Sequence, residues 1–180
     1  MKISLEQLLE SRDARVQHQQ ALLQTWPEHT LICLTVQFPG PQKRTASSLV
    51  VGGAGLAALM DKFGSVAHFT QVKDLATGYE AYLLVPLPAN LVKRLCCQIE
   101  DTHPLGRLMD IDVLETGGHV IPGLTGHLLD RASTGLPPRR CLLCDNEVRY
   151  CMRAKTHTAE QLLARIDEMV SKYCVSWKKL

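Results

Sequence analysis

Hydrophobic positions recur at helical intervals in several parts of the chain. Near the start, Ser4 followed by Gln7 forms a capping box, a signal that opens a helix. Near the end, Thr158 can cap a helix whose apolar residues share one face. Three glycines weaken the first half of the segment that follows Thr45. The predicted helices cover residues 4–23, 45–63, 88–101 and 159–173.

Other segments are rich in β-branched and apolar residues, or alternate between apolar and polar residues, which predicts strands. Residues 107–114 alternate in this way, and Gly117-Gly118 predicts a turn after them. Residues 122–140 are rich in glycine and proline and are predicted to be irregular. The predicted strands cover residues 30–38, 66–72, 78–85, 107–114 and 119–121.

The order of these elements predicts an α+β fold. We expect one domain over residues 1–180, with a mixed or antiparallel sheet packed by helices. A nucleotidyltransferase-like arrangement is one option for this domain. A segment rich in cysteine and containing a histidine, residues 141–157, precedes the C-terminal helix.

Composition supports a globular protein, since 46% of the 180 residues are hydrophobic and 21% are charged. The first residues are charged, and the apolar stretches are too short or interrupted to span a bilayer. We therefore expect a cytoplasmic protein with no membrane partner. A net charge of +2 argues against a general nucleic-acid binder. Seven unevenly spaced cysteines argue against a secreted disulfide framework.

The first candidate for chemistry is the pair Asp110 and Asp112. Residues two apart on a strand point to the same face, so both carboxylates converge while Ile111 faces the core. Two carboxylates at this spacing can hold Mg²⁺, which prefers oxygen ligands and serves nucleotidyl transfer. The pattern also fits the solvated face of an edge strand.

A third carboxylate often completes such a metal site. Glu80 is the better candidate if its strand lies next to residues 107–114, and Glu100 near a helix end is the alternative. Either residue taken singly is also compatible with a surface position.

Basic residues and one histidine can serve a phosphate-bearing substrate. Arginine clamps a phosphate through two donors, and lysine supplies a compact charge. The basic residues are also typical of a protein surface, unless they converge on the aspartate pair. The histidine is also typical of a structural role. The candidates are Arg12, Arg15, Lys43, Arg44, Arg107 and His103.

The second candidate site consists of Cys141, Cys144, Cys151 and His157. Three thiolates and an imidazole can bind Zn²⁺ tetrahedrally, and four protein ligands favour a structural rather than a catalytic ion. Buried or redox-active thiols are the competing interpretation.

Several of these segments together resemble a known family. The carrying motifs are HPLGRLMDIDV from His103, LPPRRCLLC from Leu136 and CMRAKTH from Cys151. The segments LLESRDARVQHQ and FPGPQK near the N-terminus are similar to the same family, which is holo-citrate lyase synthase, also called apo-citrate lyase phosphoribosyl-dephospho-CoA transferase. The resemblance covers nearly the whole chain and departs mainly at residues 123–135 and after Tyr173.

The resemblance implies a specific reaction. Its donor would be 2′-(5″-triphosphoribosyl)-3′-dephospho-CoA, and its acceptor a serine of the acyl carrier (γ) subunit of citrate lyase. Asp110 and Asp112 would hold Mg²⁺, while Arg107, Arg12, Arg15 and Lys43 would be candidates for binding the donor's phosphates. A similar transferase that primes malonate decarboxylase also uses an Asp-x-Asp pair, so the metal interpretation has an analogue.

Two alternatives stay open. The enzyme can act on another carrier protein, such as that of malonate decarboxylase. A different class of function is a zinc-stabilised module that binds a carrier protein or RNA without catalysis, for which Arg139 and Arg140 beside the cysteines are the motivation.

Overall fold

A computed structural model of the chain describes residues 2–116 and 126–177. The described residues form five helices and five strands. The helices are α1 (Leu5–Thr25), α2 (Ala46–Phe63), α3 (Ala89–Thr102), α4 (Val148–Ala154) and α5 (Ala159–Trp177). The strands are β1 (Thr30–Val36), β2 (Phe69–Leu75), β3 (Gly78–Val85), β4 (Met109–Thr116) and β5 (Gly126–Leu129).

The strands form one sheet in the order β2-β3-β1-β4-β5, and every neighbouring pair is antiparallel. The predicted α+β class with a sheet packed by helices is therefore confirmed. Directly opposed residues point to the same face, so the register aligns side chains in rows across the sheet. One row joins Glu80, Thr35 and Asp110, and the next joins Tyr82, Cys33 and Asp112.

Helices cover the two faces of the sheet unequally. Helices α2, α3 and α5 bury one face, where the main core includes Leu34, Leu83, Ile111 and Val113. Helix α1 covers the other face, and its Leu22 and Leu23 pack in a smaller core with the strand residues Leu31, Tyr82, Leu84 and Leu114. The rows that carry Asp110 and Asp112 lie on the α1 side, which is the more polar face.

Helix α2 comes close to the sheet because of its glycines. A Cβ at Gly52 would overlap the ring of Tyr79, and one at Gly55 would lie 2.9 Å from Leu34 Cδ2. Thr45 and Ser48 form a capping box that starts the helix. The glycines that weaken the helical pattern in sequence are thus the residues that allow close packing.

Three parts of the structure differ from the predictions. Residues 126–129 form strand β5 inside the segment predicted to be irregular, because they pair with the second half of β4. Helix α4 was not predicted, and its buried residue is Cys151, which joins the cysteine and histidine side chains described below. Residues 106–108 form a 3-10 helix, so β4 begins at Met109. The predicted turn at Gly117-Gly118 and strand at residues 119–121 lie outside the described residues.

The remaining boundaries shift by a few residues: β2 begins at Phe69 rather than at residue 66, and α5 ends at Trp177 rather than at residue 173. Within residues 2–116 and 126–177, no helix combines the length and apolar character that crossing a bilayer requires.

Candidate active site

Asp110 and Asp112 lie on the same face of β4, as the alternating sequence predicts. Met109, Ile111 and Val113 are buried in the main core, whereas both aspartates are partly exposed. The apolar residues therefore anchor the strand and leave two carboxylates side by side on the α1 face. Two oxygen donors in this arrangement match the ligands that a hard divalent cation prefers.

The charge on Asp112 is unfavourable. Burial, followed by the negative charge of Asp110, raises the pKa of Asp112 to about 6. Lys93 and Arg15 offset this only in part. A cation between the two carboxylates would remove the repulsion, so the residues present fit a divalent metal ion.

Helix α1 brings Arg15 to the same face. Its guanidinium lies 3.3 Å from Glu80 Oε1, and the Tyr82 hydroxyl donates to Glu80 Oε2. Glu80 is buried and is separated from Asp110 by Thr35 of the intervening strand β1. Glu80 therefore shares a face with the aspartate pair, while its two oxygens are engaged by Arg15 and Tyr82.

Cys33 lies directly opposite Asp112 on β1. Burial raises the pKa of this thiol to about 12, although a hydrogen bond with Gln19 of α1 acts in the opposite direction. The thiol is therefore neutral at ordinary pH and adds no charge beside Asp112.

Lys43 and Arg12 lie near the end of β1 that adjoins Asp110. Lys43 Nζ donates to Phe38 O over 2.6 Å, and Gln37 N donates to Leu108 O just before β4. Burial and the nearby charge of Arg12 lower the pKa of Lys43. These two cations are thus close to each other.

Arg44 is engaged elsewhere. Its guanidinium makes two hydrogen bonds of 2.8 and 2.7 Å to the exposed carboxylate of Asp74 on β2. The Arg44 guanidinium is therefore paired with Asp74.

The first half of β4 has an open edge at residues 109–111, because β5 pairs only with Val113–Thr116. Three side chains satisfy its backbone groups. Glu100 Oε1 accepts from Ile111 N at 2.9 Å, Lys93 Nζ donates to Ile111 O at 3.1 Å, and Arg139 donates to Met109 O at 2.7 Å. Glu100, the alternative third carboxylate, thus supports the edge of the strand.

Arg139 connects this edge with the aspartate pair. Its guanidinium lies 2.5 Å from Glu100 Oε1 and 3.6 Å from Asp110 Oδ1. Only 17% of its side chain is exposed, against 39% for Asp110. The arginine is therefore held between two carboxylates at the border of the site.

Two more arginines gather around the same edge. Arg131 pairs with Asp101 and lies 3.7 Å from Glu100. Arg107 has a buried Nε without a hydrogen-bond partner among the described residues, and burial together with the charge of Arg139 lowers its pKa. A partly buried guanidinium whose Nε lacks a hydrogen-bond partner, and which lies beside like charges, favours an anionic ligand such as phosphate.

His103 lies away from the aspartate face. Its Nδ1 accepts from Leu105 N at 3.0 Å, and its ring contacts Tyr173 of α5, which covers the opposite face of the sheet. Burial lowers the pKa of this histidine. The structure does not bring it together with Asp110 and Asp112.

Cys141, Cys144, Cys151 and His157, here called the Cys/His cluster, lie together. Their ligand atoms are all within 4.8 Å of one another. The Cys144 sulfur is 3.4 Å from the Cys151 sulfur and 3.4 Å from His157 Nε2. Tetrahedral Zn²⁺ with ordinary bond lengths places its ligands about 3.5–3.8 Å apart. The arrangement can hold a metal ion.

Backbone hydrogen bonds also affect the pKa of one of these thiols, Cys141. Burial raises the pKa of Cys141, but hydrogen bonds from the Leu143 and Cys144 backbone and from neighbouring thiols outweigh that effect, so the pKa is lowered. A metal ligand must be a thiolate, which a lowered pKa favours.

Sequence reasoning did not predict that charged side chains support the edge of β4. Lys93 and Glu100 lie seven residues apart on α3, both buried and among the buried positions of that helix. A charge inside an apolar helical stripe is the signal that indicates a buried partner. The contact between Arg139 and Asp110 joins residues 29 positions apart and has no local sequence signal.

Comparison with known proteins shows which family the chain resembles along nearly its whole length. A family model described as apo-citrate lyase phosphoribosyl-dephospho-CoA transferase matches residues 3–173. A Vibrio cholerae serotype O1 (strain M66-2) protein named probable apo-citrate lyase phosphoribosyl-dephospho-CoA transferase is 37% identical over 179 residues, covering 96% of this chain and 94% of the relative. An Escherichia coli O1:K1 / APEC protein with that name, without "probable", is 37% identical over 172 residues, covering 94% and 89%.

Proposed function

This chain belongs to the apo-citrate lyase phosphoribosyl-dephospho-CoA transferase family and is a transferase, and we propose that it primes the acyl carrier subunit of citrate lyase. The donor is 2′-(5″-triphosphoribosyl)-3′-dephospho-CoA, and the acceptor is a serine hydroxyl of the carrier. A bond forms between the serine oxygen and the donor's α-phosphorus as the bond to diphosphate breaks. The reaction is a nucleotidyl transfer.

The observation that carries this proposal is the aspartate pair on β4. Asp110 and Asp112 share one face, and the raised pKa of Asp112 marks a carboxylate that lacks sufficient positive charge. We assign Mg²⁺ to this pair. When bound, Mg²⁺ supplies charge neutralisation for the transferring phosphate and the departing diphosphate.

The cations around the pair divide into two groups. Arg107 and Arg139 lie along the open edge of β4; Arg107, whose Nε has no partner among the described residues, is assigned to the phosphates that leave as diphosphate. Arg12, Arg15 and Lys43 lie on or near α1 and are assigned to the phosphates of the CoA portion. Glu80 holds Arg15 in place, which supports a positioning role for that carboxylate.

The Cys/His cluster is assigned a structural Zn²⁺. Its four side chains satisfy a tetrahedral ion without leaving a position for a substrate, and their separations suit Zn²⁺. Bound zinc would explain how residues 136–158 keep a defined structure although Cys151 is the one buried residue of this segment.

The transfer is tested by the intact mass of the apo-carrier after incubation with the enzyme, Mg²⁺ and the donor. Wild type should add the mass of the phosphoribosyl-dephospho-CoA group. Asp110→Asn and Asp112→Asn should slow loading by at least about 100-fold, since each change removes a charge used in the transition state. Asp61→Asn, an exposed aspartate on α2, is the matched control and should load normally.

Two outcomes would contradict the proposal. Full loading by a folded variant that lacks both aspartates would remove the pair from the mechanism. Binding of the carrier by wild type without any mass increase would favour a non-catalytic binding module. Parallel reactions with the malonate decarboxylase carrier identify the acceptor, because the proposal expects faster loading of the citrate lyase carrier.

A further inference from the structure

The segment that contains the Cys/His cluster begins beside the candidate active site. Arg139 lies two residues before Cys141, and its guanidinium contacts Glu100, Asp110 and the backbone of Met109. The cluster is therefore connected by a short piece of backbone to a side chain that borders the aspartate pair.

Backbone hydrogen bonds make that connection rigid. Val148 N donates to Arg139 O at 2.9 Å, and Cys141 N donates to Asn146 O at 2.7 Å. Arg140 and Glu147 form an antiparallel bridge between these two bonds. Residues 139–148 thus form a hairpin-like loop whose far strand leads directly into α4 and Cys151.

Little apolar packing holds this loop. Between residues 136 and 158 the one fully buried residue is Cys151, and Leu142 is only partly buried against the main core. Helix α4 has seven residues and exposes Tyr150 and Met152 to 62% and 71%. A helix this short is not stable alone, so its position depends on the cluster.

We propose that the metal-bound Cys/His cluster positions Arg139, and through Arg139 fixes Asp110 and the open edge of β4 for catalysis. This inference rests on the proposed zinc site and on the proposed role of Asp110. Arg139 is then a positioning residue that makes transfer activity depend on a metal ion outside the reacting centre.

Loss of the metal has a defined consequence in this arrangement. The loop would lose its restraint, and Arg139 would leave Met109 O, Glu100 and Asp110 without a shared donor. Neither hydrophobic core includes any of the four cluster residues, and the sheet pairing does not involve them. The sheet should therefore stay folded while the site loses its geometry.

The test compares Cys144→Ser, Arg139→Ala and the double variant. Each single variant should lower kcat for carrier loading by about 10- to 100-fold, the usual effect of losing a supporting interaction. If the cluster acts through Arg139, the double variant should be no worse than the more impaired single variant. Arg139→Lys should recover part of kcat because it keeps one donor and the charge. Cys174→Ser on α5 and Arg149→Ala on α4 are matched controls and should load at the wild-type rate.

Two readouts do not depend on loading. Zinc per chain, measured by elemental analysis, should be about one in wild type and Arg139→Ala and well below one in Cys144→Ser. Amide hydrogen exchange of a peptide covering residues 109–112 should accelerate in Arg139→Ala and Cys144→Ser alike, whereas a peptide from β3 should keep its protection. If Cys144→Ser does not fold, chelation of zinc from wild type followed by re-addition replaces it and should reverse both changes.

Three results would overturn the inference. The first is wild type that holds almost no zinc although zinc was present in the medium. The second is kcat losses that multiply in the double variant. The third is unchanged amide hydrogen exchange at residues 109–112 after zinc removal. Absence of carrier loading by zinc-replete wild type would instead contradict the proposed function, while zinc content and hydrogen exchange would still decide the coupling.

Discussion

At the scale of single residues, Asp112 carries a charge that the fold disfavours. Burial and the charge of Asp110 raise its pKa to about 6, so the ionised form is unfavourable in the folded protein without a metal ion. Carboxylates with raised pKa values beside another carboxylate are frequent in functional sites. A bound cation would therefore stabilise the ionised form of the pair.

A pH-dependent gain in stability follows for Asp112→Asn. Because the folded pKa lies above the ordinary value of 3.8, the folded protein binds the proton more tightly than the unfolded chain. The contribution of Asp112 to the free energy of unfolding therefore falls as the pH rises from about 4 to about 6. In EDTA at pH 8 the variant should be more stable than wild type by roughly 1–3 kcal/mol.

Urea unfolding at pH 4, 6 and 8 measures this difference. The advantage of Asp112→Asn should shrink towards zero at pH 4, and the control Asp61→Asn should show no such trend. A variant that is less stable than wild type at pH 8 would contradict the account of Asp112.

Sequence alone predicted the aspartate pair but not its neighbours, for a physical reason. Alternation along one strand fixes which residues share a face, so Asp110 and Asp112 converge wherever the strand lies. The contacts of Arg139 with Asp110 and of Arg15 with Glu80 depend on how distant segments fold together. Local patterns carry no information about such distances, and the resemblance to a family suggested positions without contacts.

At the scale of elements, strong periodicity was the reliable signal. Helices α1, α2, α3 and α5 and strands β1, β3 and β4 were all predicted in type and place within a few residues. The two elements that were missed are short and depend on partners. Strand β5 exists through its pairing with β4, and α4 through the side chains gathered around Cys151.

The contact between α2 and the sheet yields a prediction about glycine. Gly52→Ala should destabilise the protein by about 1–3 kcal/mol, because its Cβ overlaps the ring of Tyr79 and forces a shift. Gly53 in the same helix is exposed, and a Cβ there meets nothing within 4 Å. Gly53→Ala is therefore the matched control and should stabilise the helix by up to about 1 kcal/mol.

Thermal unfolding of the two variants under identical conditions separates packing from helix propensity. A lower midpoint for Gly52→Ala and an equal or higher one for Gly53→Ala is expected. Equal effects of the two substitutions would show that α2 does not approach the sheet as described.

At the scale of the whole molecule, the two faces of the sheet differ in the side chains that they carry. The face under α2, α3 and α5 supplies most of the apolar core, while the α1 face carries the charged rows of the site. The Cys/His cluster lies in the segment that joins β5 to α5 and reaches back to the edge of β4 through Arg139. The apolar core, the candidate active site and the candidate metal site of the Cys/His cluster thus lie in different parts of one fold.

We propose that Asp110 and Asp112 together hold a divalent ion that contacts the donor's phosphates. Mn²⁺ is a paramagnetic substitute for Mg²⁺, so the phosphorus resonances of the donor report directly on its position. With wild type, and equally with the control Asp61→Asn, substoichiometric Mn²⁺ should broaden the triphosphate resonances beyond the broadening found without protein. The variant lacking both carboxylates, Asp110→Asn with Asp112→Asn, should leave only the broadening found without protein, whereas broadening equal to wild type in that folded variant would contradict the account.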